Sequence, residues 1–208
     1  DEENHIKYPL VSPEIVPDVA IVDAELPSTM PAKVTAATGM DVMTHAIEAW
    51  VSTSADDYTD PLALHAVQLV REYLIKAYEN GKDMIARTKM HDASTMAGMA
   101  FSNCSLGIIH SLAHKIGGEF GITHGEANAI LLPYIIDYNR KSTSKYDRLE
   151  AILGVDDVAE MVRGMNQKVG ISATFKDGKN TPIAEDDFLK VLDRMSKNAF
   201  KDACTLTN

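Results

Sequence analysis

The sequence predicts a mainly α protein, a bundle-like helical domain preceded by a short extended, Pro-rich segment. Two observations carry this. Five of the eight prolines (Pro9, Pro13, Pro17, Pro27 and Pro31) fall before residue 35, a density that excludes long helices there. From Thr35 onward apolar residues recur at helical spacing, with start and stop signals between the runs. No second strand-rich region, repeat or low-complexity tract follows. The division expected is a lead-in or interdomain segment over 1–34 and a helical domain over 35–208.

Within the lead-in, Val19-Ala-Ile-Val22 is a short apolar run bounded by Asp18 and Asp23, the pattern of one buried strand. The first helix is expected over Thr35–Thr53, interrupted only by Gly39, with Met40 and Met43 as core filler. Asp60-Pro61 opens the second, Asp as cap and Pro at the first helical position, and Asn80-Gly81 stops it. Further helices are expected over Asp83–Ser102, Leu106–Ile116, His124–Asn139, Ser144–Leu153, Val158–Val169 and Glu185–Lys197.

The 208 residues carry a formal charge of −10 and 45% hydrophobic residues. That is the composition of a folded globular chain, and an acidic surface without a basic patch argues against nucleic acid. No apolar run approaches the ~20 residues that span a bilayer, and the acidic start (Asp1-Glu-Glu-Asn) lacks signal-peptide architecture. Two cysteines a hundred residues apart, Cys104 and Cys204, cannot form a disulfide framework, and ten methionines suit a reducing interior. A cytoplasmic protein is expected.

Chemistry concentrates in the histidines. Asp41-Val-Met-Thr-His45 sets a carboxylate and an imidazole one turn apart on one helix face, and His110-Ser-Leu-Ala-His114 does the same with two imidazoles. On one straight helix His124 would lie about 21 Å from His110 at 1.5 Å per residue. Gly117, Gly118 and Gly121 intervene and mark a reversal, and Thr123-His-Gly-Glu126 reads as a capping box opening a new helix. The pattern predicts a mononuclear site built from Asp41, His45, His124 and one or both of His110 and His114. Carboxylate and imidazole donors suit Fe²⁺ or Zn²⁺, and an open coordination position favours a catalytic role. His5, His65 and His91 lack such partners and are read as surface or core residues.

Several stretches resemble the carboxy-terminal part of the iron-containing (group III) alcohol dehydrogenases, the helical half of a dehydroquinate synthase-like fold. They are Pro17–Asp23, Thr35–Glu48, Ala97–Asn103, Gly107–Gly117, His124–Pro133 and the tail Lys201–Asn208. The resemblance runs in order along nearly the whole chain. It implies Asp41, His45, His110 and His124 as metal ligands, His114 as a non-ligand that handles a proton, and Phe101 and Cys204 beside the substrate. It also implies Fe²⁺, with Zn²⁺ possible, NAD or NADP in the full-length protein, and a small alcohol or aldehyde as substrate; a helical face left without its partner domain would be partly apolar, so a homo-oligomer, dimer or larger, is expected. The family often has Pro before the last ligand, where this sequence has Thr123. No Gly-rich dinucleotide fingerprint follows a predicted strand, so the nucleotide-binding domain is expected to be absent and the 208 residues inactive alone. The alternatives are a glycerol dehydrogenase or dehydroquinate synthase-like lyase of the same fold, a non-catalytic metal-binding module, and the alcohol dehydrogenase part of a bifunctional aldehyde–alcohol dehydrogenase, hinted at by Lys7-Tyr-Pro-Leu10.

Overall fold

The computed structural model describes residue 10, residues 12–179 and residues 181–208. His5 and Lys7-Tyr-Pro9 lie outside the described residues. Eight α-helices are found among those described: α1 (Ala32–Val51), α2 (Thr59–Glu79), α3 (Met84–Cys104), α4 (Ile108–Phe120), α5 (His124–Asn139), α6 (Lys145–Leu153), α7 (Val158–Lys168) and α8 (Glu185–Ala199). Three short 3₁₀ turns, Pro13–Ile15, Leu26–Thr29 and Ala203–Thr207, complete the regular structure. The mainly α class expected from the sequence is the class observed.

The lead-in differs from expectation in one respect. Residues 19–22 form no strand, and Val19 and Ile21 are 76% and 90% exposed. A strand is stabilised by its ladder of hydrogen bonds to a neighbour, and no second strand exists among the described residues. The segment is instead fastened through Arg87. Its buried guanidinium donates to Met30 O (3.3 Å), Thr35 Oγ1 (2.8 Å) and Gly81 O (2.9 Å), tying the lead-in to α1 and to the α2–α3 turn.

Helix α1 is the central element and packs against α2, α3 and α5. Its apolar residues Met40, Met43, Ile47 and Trp50 are almost wholly buried, and burial of one such side chain contributes about 1.5–3 kcal/mol. The Trp50 indole donates to Lys145 O (2.9 Å), while Lys145 Nζ donates to Trp50 O (2.7 Å) and pairs with Asp60 (3.3 Å), which docks α6 on the end of α1. A second, smaller core joins α4, α5 and α8 through Ala113, Ile116, Ile122, Ala127, Ile130 and Met195.

Several boundaries fall elsewhere than expected, α1 for one running Ala32–Val51 where Thr35–Thr53 is expected. Helix α2 starts at Thr59, where Asp56 Oδ1 accepts from the Tyr58 and Thr59 N–H groups (both 2.9 Å). Pro61 is then the third helical residue and still costs no bond, because the first helical N–H groups have no intrahelical acceptor. Helix α4 runs straight through Gly117 and Gly118 and stops only at Gly121, whose φ of 68° is left-handed. A helical Gly costs only about 1 kcal/mol relative to Ala, which packing of Ile116 and Phe120 in the smaller core offsets.

Helix α5 contains Pro133 in its interior. Proline cannot donate to the carbonyl four residues back, and here that carbonyl, Ala129 O, accepts from Asn166 Nδ2 of α7 instead (2.7 Å). The helix therefore continues through the proline, held by its neighbour.

Candidate metal centre

Each histidine is delivered by a local rule. On α1 the i, i+4 spacing puts Asp41 and His45 on one face. On α4 it does the same for His110 and His114. The left-handed Gly121 turns the chain, and α5 begins at His124 with Thr123 as N-cap. The cap position is as expected, but the Thr123 hydroxyl makes no cap bond to the backbone and instead donates to Glu126 Oε2 (3.3 Å). Gly125 matters more. A Cβ there would come within 2.2 Å of Ala37 O, so only glycine lets the start of α5 lie against α1 and bring His124 to Asp41.

Asp41, His45, His110 and His124 each present one donor atom, all within 4.8 Å of one another. Asp41 Oδ1 is 3.7 Å from His110 Nε2 and 3.6 Å from His124 Nε2. Donors in a tetrahedral shell with bonds of about 2.1 Å sit about 3.4 Å apart. The pocket thus matches a first-row divalent ion in both donor type and spacing.

Surrounding groups fix the rings. His45 is sandwiched between Phe101 (centroids 4.7 Å, 20° between planes) and His110 (4.5 Å, 25°). His110 Nδ1 donates to Glu48 Oε2 (2.5 Å), and Glu48 Oε1 accepts from Ile109 N–H (2.7 Å). Burial pushes the Glu48 carboxyl up to about 7 against the opposing pull of the Ile109 N–H. Burial foremost, then the neighbouring His110, lowers His45 to about 4, and burial takes His110 down to about 3. Both imidazoles are neutral at pH 7, the form that offers a lone pair to a metal.

His114 faces a different partner. Its ring stacks on that of His124 (5.4 Å, 14°), and its Nδ1 donates to Asp202 Oδ2 (3.0 Å), which also accepts from Lys115 Nζ (2.8 Å). Cys204 lies beside this pair, within the same 4.8 Å grouping as His114 and Asp202. Burial, then the Asp202 charge, pushes its thiol up to about 12, so it stays protonated. His65 and His91 lie apart from both clusters, His65 near Gln68 (3.4 Å) on an exposed face.

Glu48, Asn128, Lys115 and Asp202 are the residues that spacing arguments passed over. Glu48 and Asn128 were within reach of the same rule: Glu48 is seven residues after Asp41 on the face of His45, and Asn128 is four after His124. Asp202 had no such local signal.

Residues 35–208 match the model of the Fe-containing alcohol dehydrogenase family, C-terminal. The chain belongs to this family. Among curated relatives, it is 46% identical over 218 residues to the NADPH-dependent butanol dehydrogenase of Clostridium saccharobutylicum, with all of this chain and 55% of that one covered. It is 41% identical over 232 residues to the aldehyde-alcohol dehydrogenase of Streptococcus pneumoniae serotype 4, covering all of this chain but 26% of that protein. The solved iron-containing alcohol dehydrogenase of Thermococcus thioreducens superposes with a TM-score of 0.88 at 32% identity, over 96% of this chain and 52% of that one. The chain thus spans about half the length of the butanol dehydrogenase and of the solved Thermococcus enzyme, and about a quarter of the aldehyde-alcohol dehydrogenase.

Proposed function

We propose that Asp41, His45, His110 and His124 hold one divalent cation, Fe²⁺ in preference to Zn²⁺, in the helical half of an NAD(P)-linked alcohol dehydrogenase. The observation that carries this reading is the convergence of four donors from three helices at near-tetrahedral spacing. In such a centre the cation supplies Lewis-acid polarisation of an alcohol or aldehyde oxygen. The chain's own groups do the rest. Glu48 holds His110 in the tautomer that turns Nε2 inward. Asp202 holds His114 Nδ1–H in the same manner, so that Nε2 is the atom at which the substrate's hydroxyl proton is taken up and passed on. Phe101 walls the pocket beside His45, and the Cys204 thiol lines it as a neutral group.

The substrate class is a small alcohol or aldehyde, in line with the butanol dehydrogenase and aldehyde-alcohol dehydrogenase names of the relatives. Residues 1–34 act as the interdomain segment and 35–208 as the metal-binding domain, with the nucleotide held by a domain outside these 208 residues. The chain by itself then gives little turnover with alcohol and NAD(P). Exposed apolar side chains on the lead-in and at Leu189, Phe200 and Leu206 support self-association as a dimer or larger. No helix among the described residues is long and apolar enough to cross a membrane, and we place the protein in the cytoplasm.

Metal content tests the reading. Protein purified anaerobically without chelator is expected to carry about one Fe or Zn per chain, lost in His124→Ala. Equal metal in wild type and His124→Ala, or none in either after incubation with Fe²⁺ and Zn²⁺, would overturn the ligand set.

A further inference from the structure

We infer that Gly107 is a positioning residue of the metal centre: its lack of a side chain makes the room in which Glu48 reaches the start of α4 and orients His110. The inference rests on the ligand set and the role of Glu48 proposed above, and extends them by a residue that offers the site no functional group.

Gly107 is buried and is the N-cap of α4, with φ −144° and ψ −163°. That is extended backbone open to any L residue, so its conformation does not call for glycine. Nor does the cap position, where Ser, Asp and Asn rank above glycine. Space is what calls for it. A Cβ at 107 would lie 2.7 Å from Glu48 Oε1 and 3.1 Å from Asn208 Oδ1, where ordinary contact begins near 3.4 Å.

Those two oxygens replace the cap that a side chain at 107 would give. The first N–H groups of a helix have no partner within it. Here Ile108 N–H donates to Asn208 Oδ1 (3.3 Å) and Ile109 N–H to Glu48 Oε1 (2.7 Å). Because Glu48 caps α4 from a different helix with one oxygen, its other oxygen, Oε2, is left to accept from His110 Nδ1 (2.5 Å). One carboxylate thus fixes both the start of α4 and the His110 ring. It meets that ring at Nδ1 alone and leaves Nε2 turned toward Asp41 Oδ1 (3.7 Å), so the lone pair a cation needs is not engaged. Glu48 is 3% exposed and bonded at both oxygens. Oε1 could withdraw from 2.7 to 3.4 Å from a Cβ only by leaving the seat that these bonds define.

The test uses the 208-residue chain with Co²⁺ as probe, as wild type, Gly107→Ala, Gly107→Ser, Glu48→Asp, the double variant Glu48→Asp with Gly107→Ala, and His124→Ala. Affinity is read by competition with a chelator, the His110 tautomer by imidazole nitrogen resonances of the metal-free chain, and folding by its melting temperature. Both Gly107 variants are expected to bind Co²⁺ about ten-fold more weakly, the low end of the range for groups that orient a metal's ligands, and to lose the uniform Nδ1–H form of His110. Serine supplies its own cap oxygen, so Gly107→Ser keeps the start of α4 and reports on His110 even where Gly107→Ala unfolds. In Glu48→Asp the shorter carboxylate has already withdrawn; binding is weaker than in wild type, and adding Gly107→Ala costs no more, because both changes act on one contact. Wild-type affinity and tautomer in a folded Gly107 variant overturn the inference even at a lower melting temperature, since that is the mark of packing alone. A Gly107→Ala cost as large in Glu48→Asp as in wild type overturns it too, because the effect then does not pass through Glu48. The His124→Ala arm separates the two proposals. If it binds Co²⁺ as wild type does, the ligand set fails; if it has lost Co²⁺ while the Gly107 variants keep it unchanged, only the role of Gly107 fails.

Discussion

The Asp202 carboxylate accepts from three groups at once: His114 Nδ1, Lys115 Nζ and the Cys204 N–H (3.1 Å). Burial works to raise its pKa, but the hydrogen bonds from His114 and Lys115 outweigh burial and hold the group well below the usual carboxylate range. A pKa lower in the folded than in the unfolded chain stabilises the fold above the unfolded value of about 3.9, and that contribution is lost as pH falls through the folded value. Denaturant unfolding of wild type and Asp202→Asn should differ most above about pH 5, the gap narrowing steadily toward pH 3. A gap that does not change with pH would mean that Asp202 acts by shape and not by charge. Ser105 makes a second point at this scale. With φ 65° and ψ −176° it occupies a region open essentially to glycine, at a cost of order 1–3 kcal/mol. Ser105→Gly should raise stability by about 1 kcal/mol, read as a higher denaturation midpoint, after the entropy glycine brings to the unfolded chain is subtracted.

At the scale of elements, α5 is the instructive case. A proline in mid-helix leaves one carbonyl unpaired, and Asn166 answers it from α7. Asn166→Leu keeps the volume but strands Ala129 O in the interior, which should cost about 1–3 kcal/mol in a thermal or denaturant unfolding experiment. A cost near zero would show that the carbonyl finds water instead. The same helix shows what sequence reading can and cannot reach. His124 at a helix start was legible, because Thr123 and the glycine before it are local signals. The pairings Asp41 with His45 and His110 with His114 were legible for a similar reason, since 3.6 residues per turn converts spacing into direction, but spacing leaves open which of His110 and His114 joins the cluster, and the fold brings His110 there. The extent of α4 was not: Gly117 and Gly118 look like a stop, and only packing against α5 and α8 carries the helix past them. The run Val19–Val22 has the apolar composition of a strand, yet pairing is a property of two segments and no local pattern reveals whether the second is present. Asp202 meets His114 across 88 residues, so nothing near either one announces the other.

At the scale of the whole molecule, the proposed centre joins α1, α4 and α5, each anchored in a different part of the two cores. A cation that binds only the folded chain adds stability as RT ln(1 + [M]/Kd), about 2.7 kcal/mol at a hundred times Kd. Titrating Fe²⁺ or Zn²⁺ into metal-free protein should therefore raise the melting temperature with metal concentration, and a chelator should reverse it. A melting temperature indifferent to both would show that the three helices already hold their places without help and that the ion is not bound there.

The tail adds a dimension of time. Thr207 O accepts from Thr53 N–H (3.0 Å), Thr207 Oγ1 donates to Leu106 O (2.6 Å), and Asn208 Oδ1 accepts from Ile108 N–H (3.3 Å). These contacts clasp the end of α1 and the start of α4 from residues translated a hundred or more positions later. A nascent chain that has reached residue 200 already contains Asp41, His45, His110 and His124, yet lacks both this clasp and the carboxylate that orients His114. On the ribosome, where synthesis proceeds at about 5–20 residues per second, the stretch from His124 to Asn208 takes roughly 4–17 s, and for that interval the site-bearing helices lack the segment that locks them.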